Sequence, residues 1–256
     1  MSLQQLSQKS YQAFLTVNEL PRVIAEKRAL RWVKPLLNKM PDGDGHGVMV
    51  IPGFLGEDSF NKPLCDFLIS KGYVATGWRQ GRNLGPKDEV IAQLTRELEF
   101  LYKQTGRPIT IIGHSLGGVY AREIARSAPA IVRQIITLGS PITQSKGTTL
   151  TSGLFRRLNP SVNHGAAQKA REIAPPVPIT SVYTKTDSVV HWKNAMQQNG
   201  HTQTENIEVH GSHCGLTVNG SVWYLIAERL SQALGQWQPF ERSMLIHNWV
   251  FPQRSI

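Results

Sequence analysis

One junction constrains this chain more than any other feature. An apolar, β-rich run, Ile109-Thr110-Ile111-Ile112, leads directly into Gly113-His114-Ser115-Leu116-Gly117, and a helical pattern follows over residues 117–127. A G-x-S-x-G string in that setting turns the backbone from strand to helix within about one residue. The serine is then forced into a strained conformation, and its neighbours two positions away must be small because strand and helix nearly collide. Gly113 and Gly117 supply that smallness, and Gly118 adds room. The Ser115 hydroxyl is expected to stand clear of the sheet.

The segments around the junction alternate. Residues 48–51 read as a buried strand, 62–71 as a short helix, 73–78 as a strand and 88–104 as a long helix with Val90, Leu94, Leu98 and Leu101 on one face. Strands follow at 109–112, 132–138, 179–183 and 207–210, and a closing helix at 222–234. Such alternation predicts an α/β fold, with a mostly parallel central sheet of about six strands and helices on both faces. At 256 residues and 40% hydrophobic composition the chain can bury a sizeable core. Residues 1–45 form an N-terminal helical segment expected to pack on the core, its apolar stripe read as Leu20, Val23, Ile24, Leu30, Val33 and Leu37 with Lys27 at the same spacing. Residues 46–235 form the main domain. A Ser-, Thr-, Gly- and Pro-rich interruption at about 142–178, with helical pieces at 154–158 and 166–173, is read as a lid or cap. Residues 236–256 are a C-terminal extension whose aromatics, Trp237, Phe240, Leu245, Trp249 and Phe251 among its apolar residues, are expected to cover the core.

A serine hydroxyl is a poor nucleophile at neutral pH, so it needs a base and a group that holds the base. Asp187 is the sole aspartate after Ser115, in the loop following the 179–183 strand. His213 lies in a small-residue loop, Gly211-Ser212-His213-Cys214-Gly215, between the last strand and the last helix. Its rivals are weaker: His114 adjoins the serine on a turn where side chains diverge, His191 is a loop or solvent residue, and His210 reads as structural. Two N–H donors are needed for a developing oxyanion. Leu116 is the first candidate, at the start of the helix where the dipole favours negative charge. Phe54, in Pro52-Gly53-Phe54-Leu55-Gly56 after the first strand, is the second.

Taken in order, these motifs resemble the α/β-hydrolase superfamily, in particular its bacterial lipase- and esterase-like members. The resemblance covers roughly residues 46–235. It implies an α/β-hydrolase fold and a Ser115–Asp187–His213 triad cleaving carboxylic esters of small molecules or lipids, without a cofactor. Acyl transfer to an acceptor other than water uses the same triad, and a non-catalytic binding protein on this fold is a third reading. The chain departs from the family by opening with helices, where many members begin with an antiparallel strand pair.

Other signals carry less. The net charge of +10 is spread along the chain with no basic block interleaved with aromatics, so no nucleic-acid partner is expected. Asp42-Gly43-Asp44-Gly45 lacks the rest of a calcium loop and reads as a turn. Without H-E-x-x-H or paired C-x-x-C strings, no metal is expected. Trp78 to Asn83 is read as holding a neighbouring loop, and Arg156, Arg157, Lys169 and Arg171 as solvated lid surface. Cys65 and Cys214 make no disulfide framework, and no leader or membrane-spanning run is visible. The expectation is a cytoplasmic protein, with peripheral membrane contact and oligomeric state left open.

Overall fold

The computed structural model describes residues 13–85, 88–143, 172–241 and 250–252. Six strands form one sheet: β1 (Gly47–Ile51), β2 (Val74–Gly77), β3 (Ile109–His114), β4 (Val132–Leu138), β5 (Ile179–Tyr183) and β6 (Thr204–Glu208). Their spatial order is β2-β1-β3-β4-β5-β6, and every pairing is parallel. The helices are α1 (Glu19–Asn38), α2 (Asp58–Ser70), α3 (Asp88–Thr105), α4 (Leu116–Ser127) and α5 (Gly220–Ser231). A central parallel strand is covered on both faces, so its residues read as a continuous apolar run. In β1 the alternation divides the core. Val48 and Val50 face a cluster with Leu64, Leu68, Val222 and Ile226 of α2 and α5, whereas Met49 and Ile51 face Leu94, Leu98, Tyr120 and Ile124 of α3 and α4.

Several expectations change at the edges. Helix α2 begins at Asp58, ahead of the expected residue 62, and continues through Pro63. The Asp58 carboxylate accepts from the N–H groups of Trp78 and Arg79, which fixes the start of the helix against the end of β2. Strand β6 begins at Thr204, three residues before the expected 207. Its Thr-Glu-Asn-Ile-Glu sequence hides it from an apolar scan, because its two carboxylates are neutralised locally. Glu205 pairs with Arg229 at 2.6 Å and Glu208 with Lys185 at 2.9 Å. His210, read as a strand residue, is exposed beyond the strand end. Helix α5 stops at Ser231 rather than 234, because Gln232 turns extended and its carbonyl accepts from Arg133.

The inward stripe of α1 also differs. Leu20 and Ile24 are exposed, and the buried or half-buried line runs through Glu19, Arg22, Val23, Glu26, Leu30, Val33 and Leu37. In the C-terminal extension, Phe251 is buried, stands edge-on to Phe240 at 4.8 Å and packs with the α5 side of the core; Leu245 and Trp249 lie outside the described residues. So do the helical piece at 154–158 and most of that at 166–173, the four lid cations, and residues 144–171 of the interruption as a whole. The Asp44 turn is an ionic hub. Its carboxylate meets buried His46 at 2.5 Å and Arg133 at 2.8 Å, and His46 reaches Thr110 of β3. Those bonds tie together the amino-terminal ends of β1, β3 and β4, opposite the carboxyl edge where ligands collect in such sheets.

Candidate active site

Ser115 joins β3 to α4 with φ +50° and ψ −120°, a region that costs a non-glycine residue on the order of 1–3 kcal/mol. The surroundings enforce it. The Ser115 N–H donates to the Leu138 carbonyl of β4 at 2.8 Å, and its own carbonyl accepts from Gly118. A β-carbon on Gly117 would collide with the Ile51 carbonyl, and one on Gly113 with the backbone of Gly118. The first strand therefore passes directly beneath the turn. The loop after it lies against the serine as well, since a β-carbon on Gly53 would stand 3.0 Å from that of Ser115.

Asp187 sits beyond the end of β5. Its Oδ1 accepts from the N–H groups of Val189 and Val190, each at 2.7 Å, which turns Oδ2 toward His213. The Oδ2–Nδ1 distance is 2.7 Å, and both residues are buried. A carboxylate only accepts, so Nδ1 carries the proton and the neutral ring keeps its lone pair on Nε2. Burial works against a charged His213. The Asp187 carboxylate outweighs it by charge and by hydrogen bond, and with Glu19 adding to its field the imidazole pKa is held above its ordinary value. A β-carbon on Gly139, just past β4, would fall 3.1 Å from both Asp187 Oδ2 and His213 Nδ1. The pair thus lies over the carboxyl end of the central strands, beside the turn that carries Ser115.

His114 serves another purpose than that of a base. Its Nε2–H donates to the backbone carbonyl of His213 at 3.0 Å, and the two rings lie 4.9 Å apart. Burial and the neighbouring His213 push its pKa down to about 3, so it stays a neutral brace for the loop. His191 does not reach the pair; its Nδ1 accepts from Lys193 N–H and its ring stacks on Trp192.

Three residues that the sequence reading passed over hold the site from outside. Glu26 of α1 accepts from Ser212 N–H and Oγ, each at 2.7 Å, and from Asn219 Nδ2 at 2.9 Å. Glu19 accepts from Cys214 N–H at 2.7 Å and from Ser188 Oγ at 2.6 Å. Between them Arg22 donates to Thr186 and to the Gly211 carbonyl. One helix face thereby grips the loop of Asp187 and the loop of His213 together. The available signal was charge on the inner stripe of an amphipathic helix, where an ion must find partners. Asn83 acts likewise on the Gly53–Gly56 loop. Its side chain donates to the Pro52 carbonyl, its N–H to Gly56, and its carbonyl accepts from Leu55, which has φ +64°. This agrees with the loop-holding role expected for the Trp78–Asn83 segment.

As for bound groups, no cluster of His, Cys, Asp and Glu among the described residues could hold a metal ion. No helix among them is long and apolar enough to cross a membrane.

A family model for the PGAP1-like alpha/beta domain matches residues 75–217, more than half of the chain and a span that includes Ser115, Asp187 and His213. No curated protein matches. Among solved structures, similar folds include one of the two metagenome-derived lipolytic enzymes LipS and LipT (16% identity, TM-score 0.57, 74% of this chain and 93% of the other). Aspergillus fumigatus lipase B is similar at 14% identity and TM-score 0.58, over 76% of this chain and 54% of that one, so this chain spans about half of that lipase. A pyrethroid hydrolase from Sphingobium faniae JZ-2 is similar at 17% identity and TM-score 0.52, over 72% and 96%. The fold is that of the α/β hydrolases.

Proposed function

Because the chain belongs to the family of PGAP1-like alpha/beta domains, we propose that it is a serine hydrolase of carboxylic esters working through an acyl-enzyme. The observation that carries this reading is the buried 2.7 Å Asp187–His213 pair beside a serine in a strained strand-to-helix turn. Ser115 Oγ attacks the ester carbonyl. His213 Nε2 takes the hydroxyl proton and returns it to the departing alcohol, while Asp187 keeps the ring in the Nδ1–H tautomer and stabilises its cation. Water then repeats the sequence on the acyl-enzyme. The first-turn N–H groups of a helix lack intrahelical acceptors, which makes Leu116 N–H an oxyanion donor, and Phe54 N–H is the second. Removal of one such donor costs roughly 3 kcal/mol of transition-state stabilisation.

The test combines a fluorophosphonate probe with a panel of p-nitrophenyl esters of graded acyl length. The expected result is one probe per chain, on Ser115, together with ester turnover. An unlabelled Ser115 in folded protein would instead support a non-catalytic binding role.

A second measurement addresses the electrostatics of the base. Only neutral His213 accepts a proton, so kcat/KM rises with pH through its titration, and a raised pKa places that limb above the ordinary histidine range. Glu19→Gln keeps an acceptor for Cys214 N–H but removes a negative charge that favours the imidazolium. The acid limb is expected to move to lower pH with the alkaline plateau retained; an unmoved limb would exclude Glu19 from setting the pKa.

A further inference from the structure

The outer face of α1 carries a pattern that the inner face does not explain. Both acidic residues of the helix, Glu19 and Glu26, turn inward to the Asp187 and His213 loops. The opposite face displays Leu20, Ile24, Trp32 and Leu36, spaced by multiples of four and exposed by 68%, 44%, 87% and 45%. Lys27, Arg28 and Arg31 share that face, are exposed, and form no ion pair among the described residues. A face with large apolar side chains, three cations and no carboxylate combines apolar burial with attraction to negative headgroups.

We propose that this face of α1 docks on an anionic lipid bilayer, with Trp32 and Ile24 entering the interface and Arg28 and Arg31 meeting lipid phosphates. Charge complementarity selects this occupant. A solely apolar partner would leave the cations unmatched, and a nucleic acid would leave the tryptophan and leucines in water. Docking there would seat the helix that grips both site loops against the bilayer. The proposal does not depend on the chemistry of Ser115.

The test uses the full chain carrying Ser115→Ala, so that no lipid is altered, and 100-nm vesicles of phosphatidylcholine with or without phosphatidylglycerol. Co-sedimentation is expected with the anionic vesicles, at least about tenfold above neutral ones, and is expected to fall with added salt. Arg28→Glu with Arg31→Glu should reduce it about tenfold or more. Trp32→Phe should abolish the vesicle-induced blue shift of tryptophan emission, while Lys103→Glu, an exposed cation on α3, should change neither readout. These positions are exposed, and circular dichroism would verify that each variant is folded. The proposal is overturned by equal binding to neutral vesicles, by no binding, or by loss of binding in Lys103→Glu to the same degree. A dimer in analytical ultracentrifugation that Trp32→Phe or the double variant disperses would also overturn it, assigning the face to a second copy of the chain.

Discussion

Replacing Ser115 with alanine is expected to lower kcat for ester hydrolysis by roughly 10⁴–10⁶-fold and to leave the thermal midpoint unchanged or slightly raised. The size of the loss follows from how such constellations act: the members function as a unit, so removal of the nucleophile forfeits nearly all of their joint effect. The stability term has a separate origin. Alanine keeps the β-carbon and removes only a hydroxyl, so the packing of Gly113 and Gly117 around the turn is undisturbed. Initial rates on p-nitrophenyl esters and a melting curve on the same sample decide the matter. Near wild-type turnover by the folded variant would remove Ser115 from the chemistry.

The largest loss of stability is expected at Glu205. Its carboxylate accepts from Arg229 at 2.6 Å, from Thr180 Oγ1 at 2.9 Å and from Phe240 N–H at 2.8 Å, and it is 3% exposed while Arg229 is 0% exposed. Deleting one member of a buried pair leaves the other charged without its partner, at a cost of about 3–5 kcal/mol. Glu205→Ala should therefore lower the thermal midpoint by roughly 10 °C for a chain of this size. Residual bonds from Arg229 to Glu228 and the Gln238 carbonyl moderate the loss without removing it. Specific activity of the folded fraction at low temperature should be preserved, because Glu205 lies on the edge strand and touches neither Asp187 nor His213. Equal midpoints for wild type and variant, by calorimetry, would mean that the pair contributes nothing net.

The two variants separate what local sequence encodes from what it hides. Strands β1, β3, β4 and β5 announce themselves as apolar runs because both faces of a central parallel strand are covered. The Ser115 turn is legible for a related reason: its small neighbours answer a collision only a few residues away. The Asp187–His213 contact joins the sole aspartate after Ser115 to a histidine in a small-residue loop, both beyond strand ends at the same sheet edge. Strand β6 was blurred because Glu205 and Glu208 are neutralised by partners that no periodicity reveals. The bracing role of His114 is invisible locally, because the carbonyl its ring meets is 99 residues away. Helix α1 is legible in part: Val23, Leu30, Val33 and Leu37 face inward as their spacing predicts, but Leu20 and Ile24 do not, because Glu19, Arg22 and Glu26 turn inward instead to satisfy polar groups of distant loops.

That grip has a consequence for the order in which a living chain matures. The contacts from Arg22 and Glu19 to the Asp187 and His213 loops span 164 to 195 residues, so helix α1 waits for segments translated long after it. Pairings this remote are late and slow to close. A nascent polypeptide can complete β1 to β4 and form the Ser115 turn while Asp187 and His213 are still unmade or unclamped. If Ser115 is the proposed nucleophile, a growing chain stays inert toward esters until the segments carrying Asp187 and His213 have emerged and met the first helix.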